Sequence, residues 1–269
     1  MSGDLVPDAL RERIAPLLPP RPARRVHHSG RLPAPDRAAL ACIVYVLRKG
    51  VAWRDVPAQV VGCSGVTSWR RLQDWTEAGV RPRLHHVILT ELRVAGVLDM
   101  DGCAVDGSHI RTLKRGDHVG PSPVDRARPG PKRHVIVDRH GIPLAVSLTG
   151  GNRHDVTQLL PLLDAIPHIP GLPGRPLHRP GRLFADRGYG FDKYRRLLWK
   201  RGIKPVIARR GDVHGSGLGR TRWVVERTFA WLHQFKWLRI RYERRADLHQ
   251  SLLELACIII CLRRLPQSP

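Results

Sequence analysis

Apolar residues recur at helical spacing through the first hundred positions of the chain and at strand spacing after them. Leu5, Leu10, Ile14 and Leu17 share one face of a short helix over 4–18, which Pro19, Pro20 and Pro22 end. Leu40, Ile43, Val44 and Leu47 predict a second helix from Asp36 to Arg48, capped by Asp36 and stopped by Gly50. A turn follows, anchored by Trp53. Val66, Trp69, Leu72 and Trp75 predict a third helix, capped by Ser64, reaching Ala78 and ended by Gly79 and Pro82. Thr67, Ser68, Arg70, Arg71 and Gln73 then form its outer face. A fourth helix is expected over Leu84–Val97.

Beyond Met100 the pattern turns to strands. Residues 102–112 read as a strand with Asp106 inside it, and 114–132 as an irregular basic loop rich in Gly, Pro and Arg. His134–Asp138 and Pro143–Leu148 read as strands joined by the Arg139–His140–Gly141 turn. A helix over Val156–Ile166, a Pro-rich loop over 167–181 and a short strand over Arg182–Ala185 come next. That strand ends at Asp186 and a Gly188–Tyr189–Gly190 turn. A helix over Phe191–Arg201, a strand over Ile203–Ala208 and a Gly-rich linker over 211–219 lead to a long helix over Arg220–Tyr242. An apolar helix over Leu248–Leu265 closes the pattern. The order implies an all-helical region over 1–98 and, over 99–269, an α/β domain with a mixed central sheet.

Charge changes the picture. The chain of 269 residues carries 46 Lys and Arg against 23 Asp and Glu, a net +23, and only 7 of the cations are Lys. Arg presents a fork of donors that fits phosphate, so this excess implies a polyanion partner, most simply nucleic acid. The helical order with a polar, basic helix after a turn suits a DNA major groove, with Arg70 and Arg71 as contacts, although helical hairpins are common. The basic segment 21–34 reads equally as a DNA-contacting arm or a linker. Five cysteines without a CxxC pair suggest neither a disulfide frame nor a zinc site, which fits a reducing cytoplasm. No stretch has the pattern of a signal peptide or a membrane span.

The long helix carries Glu226 at the edge of a buried stripe of Val225, Phe229 and Leu232, with Arg222 and His233 on its own face. Alone, such a Glu reads as a solvated charge or an ion-pair partner of Arg222. Asp106 sits in a strand and Asp186 at a strand end, where its plain alternative is a helix cap. The three acids are 80 and 40 residues apart, so only the fold can gather them. Gathered, they would repel unless a divalent cation lay among them. Carboxylates are hard ligands for Mg²⁺ or Mn²⁺, and two such ions about 4 Å apart serve phosphoryl transfer. Asp155 reads as a helix cap. Trp223, Trp231 and Trp237 read as core or interface residues, with an unpaired DNA base as an alternative stacking partner.

The segments AVDGSHI, GPSPVDRARPGPKRHVIVDRHGIPL, GGNRHD, FADRGYG and RWVVERTFAWL, together with GVAWRDVP and SGVTSWRRLQDW, resemble the transposases of bacterial insertion sequences, in insertion-sequence family five. The resemblance covers most of the chain. It implies an RNase H-like catalytic domain behind a helix-turn-helix-like DNA-binding region. It also implies a DDE triad of Asp106, Asp186 and Glu226 as catalytic residues and metal ligands, with Mg²⁺ as cofactor and Mn²⁺ as a substitute. The expected partners are double-stranded DNA at terminal inverted repeats and at the target, and a second protomer on DNA. The family signature places an Arg four residues before the Glu, as Arg222 stands here. It expects a Tyr and a Lys where this chain has Gly219 and His233, so the cationic role passes to Arg227 or Lys236. A DNA-binding remnant without catalysis and a nuclease that never joins strands are the alternatives.

Overall fold

The computed structural model describes residues 6–20, 33–123, 125–208 and 219–266, with side chains from 222 onward in the last segment. Most of the basic segment 21–34 and of the linker 211–219 lies outside the described residues.

The helical region holds α1 (Asp8–Ile14), α2 (Asp36–Lys49), α3 (Ala58–Val61), α4 (Gly65–Glu77) and α5 (Val80–Val94). Gly50 ends α2 in the left-handed conformation at φ 72°, as its position predicts. Ser64 caps α4 by accepting the Thr67 N–H at 3.3 Å. Asp36 does not cap α2; it is the first helical residue, and Pro35 precedes it.

Two further expectations for this region fail for identifiable reasons. The series Val66, Trp69, Leu72, Trp75 advances by threes, so it drifts about 60° at each step around a helix of 3.6 residues per turn. Its first member therefore faces water: Val66 is 56% exposed. The buried stripe is Ser68, Leu72 and Trp75, and Ser68, expected outside, donates from its hydroxyl to the Ser64 carbonyl at 3.0 Å. Pro82 does not end a helix either. It lies in the first turn of α5, where no backbone N–H is required of it.

The second half is built on a mixed sheet. Its strands are β1 (Gly102–His109), β2 (Arg111–Thr112), β3 (Gly120–Pro121), β4 (Pro129–Val137), β5 (Pro143–Gly150), β6 (Arg182–Ala185), β7 (Lys204–Ile207) and β8 (Ile240–Arg241). The main sheet runs β5-β4-β1-β6-β7, with β4 antiparallel to both of its neighbours, β6 parallel to β1 and β7 parallel to β6. An antiparallel meander of three strands extended by two parallel ones is the order of an RNase H-like sheet. β4 begins earlier than its β-branched run, because Pro129–Gly130 pairs with β3 inside the stretch expected to be irregular. β2 and β8 form a separate parallel pair.

Three helices complete this half, namely α6 (Leu159–Asp164), α7 (Asp192–Lys200) and α8 (Gly219–His233), and α9 (Ala246–Leu262) closes the chain. α8 is shorter than the expected Arg220–Tyr242. After His233 the chain turns into a 3₁₀ segment, Lys236–Leu238, and then β8. Continued as an α-helix, Phe235, Trp237 and Leu238 would fan around the axis. The turn instead buries all three. α9 is mostly apolar and buried along nearly its whole length, with Asp247, Gln250 and Glu254 on its less buried side. It packs against α1, α4, α5, α8 and β5, so one continuous apolar core links the helical region to the sheet. All five cysteines are buried free thiols.

Candidate active site

The register of β1 and β6 brings two of the three predicted acids together. Gly102 pairs with Arg182 and Ala104 with Phe184, an offset that places Asp106 level with Asp186, two residues past the last pair. Adjacent strands lie about 4.8 Å apart, and residues level with each other project to the same face. The 80-residue separation of the two aspartates is therefore the strand register itself. Asp186 starts the 3₁₀ turn Arg187–Tyr189 with an extended backbone and no side-chain cap, so its cap alternative does not hold.

Asp106 is enclosed from several sides. Its Oδ1 accepts its neighbour's N–H from Gly107 at 2.8 Å, and its Oδ2 takes an ion pair from Arg222 on α8 at 3.3 Å. Burial is the main force on this carboxyl and raises it to about 6; the Gly107 N–H and Arg222 act against that rise, while Asp186 and Asp155 add to it. Asp186 has one oxygen, Oδ1, that is buried and without a hydrogen-bond partner. Two facing carboxylates, one with an unpaired buried oxygen, are a hard-oxygen donor set, which fits a divalent cation such as Mg²⁺ or Mn²⁺.

Glu226 is on α8, one helical turn beyond Arg222, and is exposed. α8 packs on β1, β4 and β6. Among the described residues no three acid, His or Cys side chains converge closely enough to hold one ion. The structure thus joins Asp106 to Asp186 and Arg222, and leaves Glu226 exposed on α8, one turn from Arg222. The expected stripe of Val225, Phe229 and Leu232 is buried beneath it.

The expected DNA contacts fall into two groups. Arg70 is exposed on α4 and Lys236 is exposed after α8. The others are held by the protein. Arg71 is drawn to Asp36 at 3.6 Å and Asp74 at 3.8 Å. Arg227 donates to the His140 carbonyl at 2.6 Å and stacks its guanidinium between the rings of Trp223 at 4.1 Å and Trp231 at 4.8 Å. His233 Nε2 lies 2.7 Å from an Arg133 guanidinium nitrogen. Arg has no acceptor, so that ring nitrogen accepts and the imidazole is neutral. Burial and the nearby Arg133 and Arg239 lower its pKa accordingly.

Of the three tryptophans, Trp237 is buried against Trp53 and Tyr242, Trp231 is half-buried and Trp223 is 47% exposed. Asp155 is not a cap. Its carboxylate meets Lys132 Nζ at 3.0 Å and packs where a Cβ on Gly107 would stand. Sequence reasoning passed over Lys132, and also over Tyr189, whose hydroxyl is buried beside the aspartates. The Gly-Tyr-Gly turn was the one signal for the latter.

Comparison with known proteins gives the family. Residues 98–261 match the model described as Transposase DDE domain, and residues 6–85 that described as Putative transposase of IS4/5 family. The chain is 62% identical over 153 residues, 56% of its own length and 72% of the relative's, to the putative transposase for insertion sequence element IS402 of Burkholderia cepacia. It is 48% identical over 124 residues, 46% of its length and 84% of the relative's, to the uncharacterized 16.2 kDa protein of the same element. A solved pre-cleavage Mos1 transpososome covers 92% of this chain and 83% of its own at 10% identity and a TM-score of 0.27, a likeness too low to carry an argument. With one model spanning the sheet and both aspartates and the other spanning the helical region, the chain belongs to the DDE transposases of the IS4/5 family.

Proposed function

We propose that this transposase binds the terminal inverted repeats of an insertion sequence, cleaves the DNA there and joins the freed 3′-hydroxyl to target DNA. The observation that carries the proposal is the register of adjacent parallel strands β1 and β6, which sets Asp106 level with Asp186 just past the end of β6. In this reading Asp106, Asp186 and Glu226 are the catalytic acids and hold Mg²⁺, or Mn²⁺ in its place. A cation held there would supply charge neutralisation at the phosphoryl group and would activate the attacking oxygen.

The chain's own residues do the rest. Arg222 restrains Asp106 and offsets the repulsion between the paired aspartates. The sheet fixes both carboxylates on rigid backbone, while Glu226 approaches from α8. Arg70 on α4 and Lys236 after α8 offer positive charge to phosphate, and Arg239, whose Nε donates to the His233 carbonyl at 2.8 Å, adds a cation beside His233. Residues 1–98 serve as the DNA-binding region and 99–269 as the catalytic domain. Two ends must be cut and joined together, so a homodimer forms on DNA.

The test is a Mg²⁺-dependent cleavage and strand-transfer assay on inverted-repeat ends, with the wild type beside Asp186→Ala. Cleavage followed by joining, lost in the variant while DNA binding persists, supports the proposal. Cleavage without joining identifies a nuclease. Binding without cleavage in either Mg²⁺ or Mn²⁺ identifies a DNA-binding remnant. Footprinting that shows one protomer joining both ends would overturn the dimer.

A further inference from the structure

The turn after Asp186 carries a group that the site as described does not use. Tyr189 is 1% exposed, yet its hydroxyl has no hydrogen-bond partner. Burying an unpaired hydroxyl is unfavourable, a cost that Phe at the same position would avoid.

The backbone keeps Tyr189 in the same tight turn as Asp186. Tyr189 N–H donates to the Asp186 carbonyl at 3.2 Å, which folds the turn back on the second aspartate. The turn packs against the 3₁₀ segment Asp155–Gln158. There Asp155 is fixed by Lys132 and lies over Gly107, the residue after Asp106. The phenol thus lies in the field of Asp106, Asp155 and Asp186. Burial first, and then those three carboxylates, push its pKa well above the ordinary value and keep the proton on the oxygen. Tyr189 is a donor without an acceptor, and in the same turn Asp186 Oδ1 is an acceptor without a donor.

We propose that Tyr189 is a positioning residue of the Asp106–Asp186 site, its hydroxyl donating a hydrogen bond to the carboxylate oxygen of this pair that a bound divalent cation leaves free. A ligand carboxylate held in this way keeps its orientation, and loss of such an outer partner weakens metal affinity by about 10–100-fold. The hydroxyl has no hydrogen-bond partner among the described residues, so its removal is expected to cost no stability in the absence of the ion. The inference rests on the reading of Asp106 and Asp186 as the cation site.

The test uses the full chain without DNA and compares wild type, Tyr189→Phe and Asp186→Asn. Mn²⁺ affinity is read from the free-ion electron paramagnetic resonance signal, and thermal midpoints are taken with and without Mn²⁺. Tyr189→Phe is expected to melt at or above the wild-type midpoint without the ion, to bind Mn²⁺ about tenfold more weakly, and to gain less on adding it. Unchanged Mn²⁺ affinity in Tyr189→Phe overturns the proposal. So does a lower cation-free midpoint, which would mean that the hydroxyl is already bonded. Asp186→Asn separates the two levels. If it binds Mn²⁺ as the wild type does, the cation site itself is wrong. If it loses the ion while Tyr189→Phe keeps it, only the role of Tyr189 falls.

Discussion

At the scale of single residues, His233 shows how a departure from a family signature is absorbed. The signature expects Lys, and the natural inference is a lost phosphate contact. The structure gives the imidazole another task, since it accepts from Arg133, a guanidinium that is fully buried. Arg133 has few other partners: one nitrogen reaches the Leu238 carbonyl at 3.4 Å, and Nε is unpaired. Burial lowers its pKa to about 10. Restoring the family residue with His233→Lys would replace an acceptor with a second cation. We expect it to destabilise the fold by about 1–3 kcal/mol, the cost of stranding a buried donor. Thermal melting checks this, and a variant that melts with or above the wild type would show that Arg133 does not depend on His233. The two aspartates were legible in the sequence as residues but not as a pair, because the strand register that levels them is a long-range property. Tyr189 was not legible as part of the site, since an aromatic in a strand-to-helix turn ordinarily packs in the core.

At the scale of elements, periodicity located the helices well and assigned their faces less well. α2 was recovered because its apolar residues recur at threes and fours together, and α9 because its stretch is apolar at most positions. α4 was misread because spacing by threes alone does not follow one face. The contact that seats α4 was invisible in the sequence. A Cβ on Gly65 would stand 1.7 Å from the Trp53 carbonyl oxygen, so the first residue of α4 has room only for hydrogen. Trp53 in turn donates from Nε1 to Glu243 at 2.7 Å and sets its ring edge against Trp237, 6.1 Å between centroids. Gly65 therefore governs a joint between the helical region and the segment after α8. Gly65→Ala is expected to displace Trp53, cost roughly 2–3 kcal/mol of stability and alter tryptophan emission. Retained midpoint and emission would mean that the backbone of α4 shifts freely, and that the joint is looser than it looks.

At the scale of the whole molecule, the continuous core ties the response of the fold to pH. Three histidines packed against it are held neutral. His85, in α5, and His134, in β4, are lowered by burial to about 4, and His249, in α9, to about 3. Burial is the main cause for all three; for His249, Arg241 and Arg133 add to it, and neither of its ring nitrogens has a hydrogen-bond partner. A His whose folded pKa lies below its unfolded value contributes stability that is complete above about 6.5 and is lost as pH falls toward the folded value. Asp106 and Asp138 act in the opposite sense. Both are raised to about 6, so the fold gains from their protonation as pH falls. The histidine shifts are more numerous and larger, so the net effect between pH 7 and pH 5 is a loss of stability. His249→Leu tests this without touching the acids. The wild type is expected to lose several degrees of thermal midpoint between pH 7 and pH 5, and the variant clearly fewer. An equal loss in both proteins would mean that His249 is not kept neutral by its surroundings, and that the acid response of the fold originates outside α9.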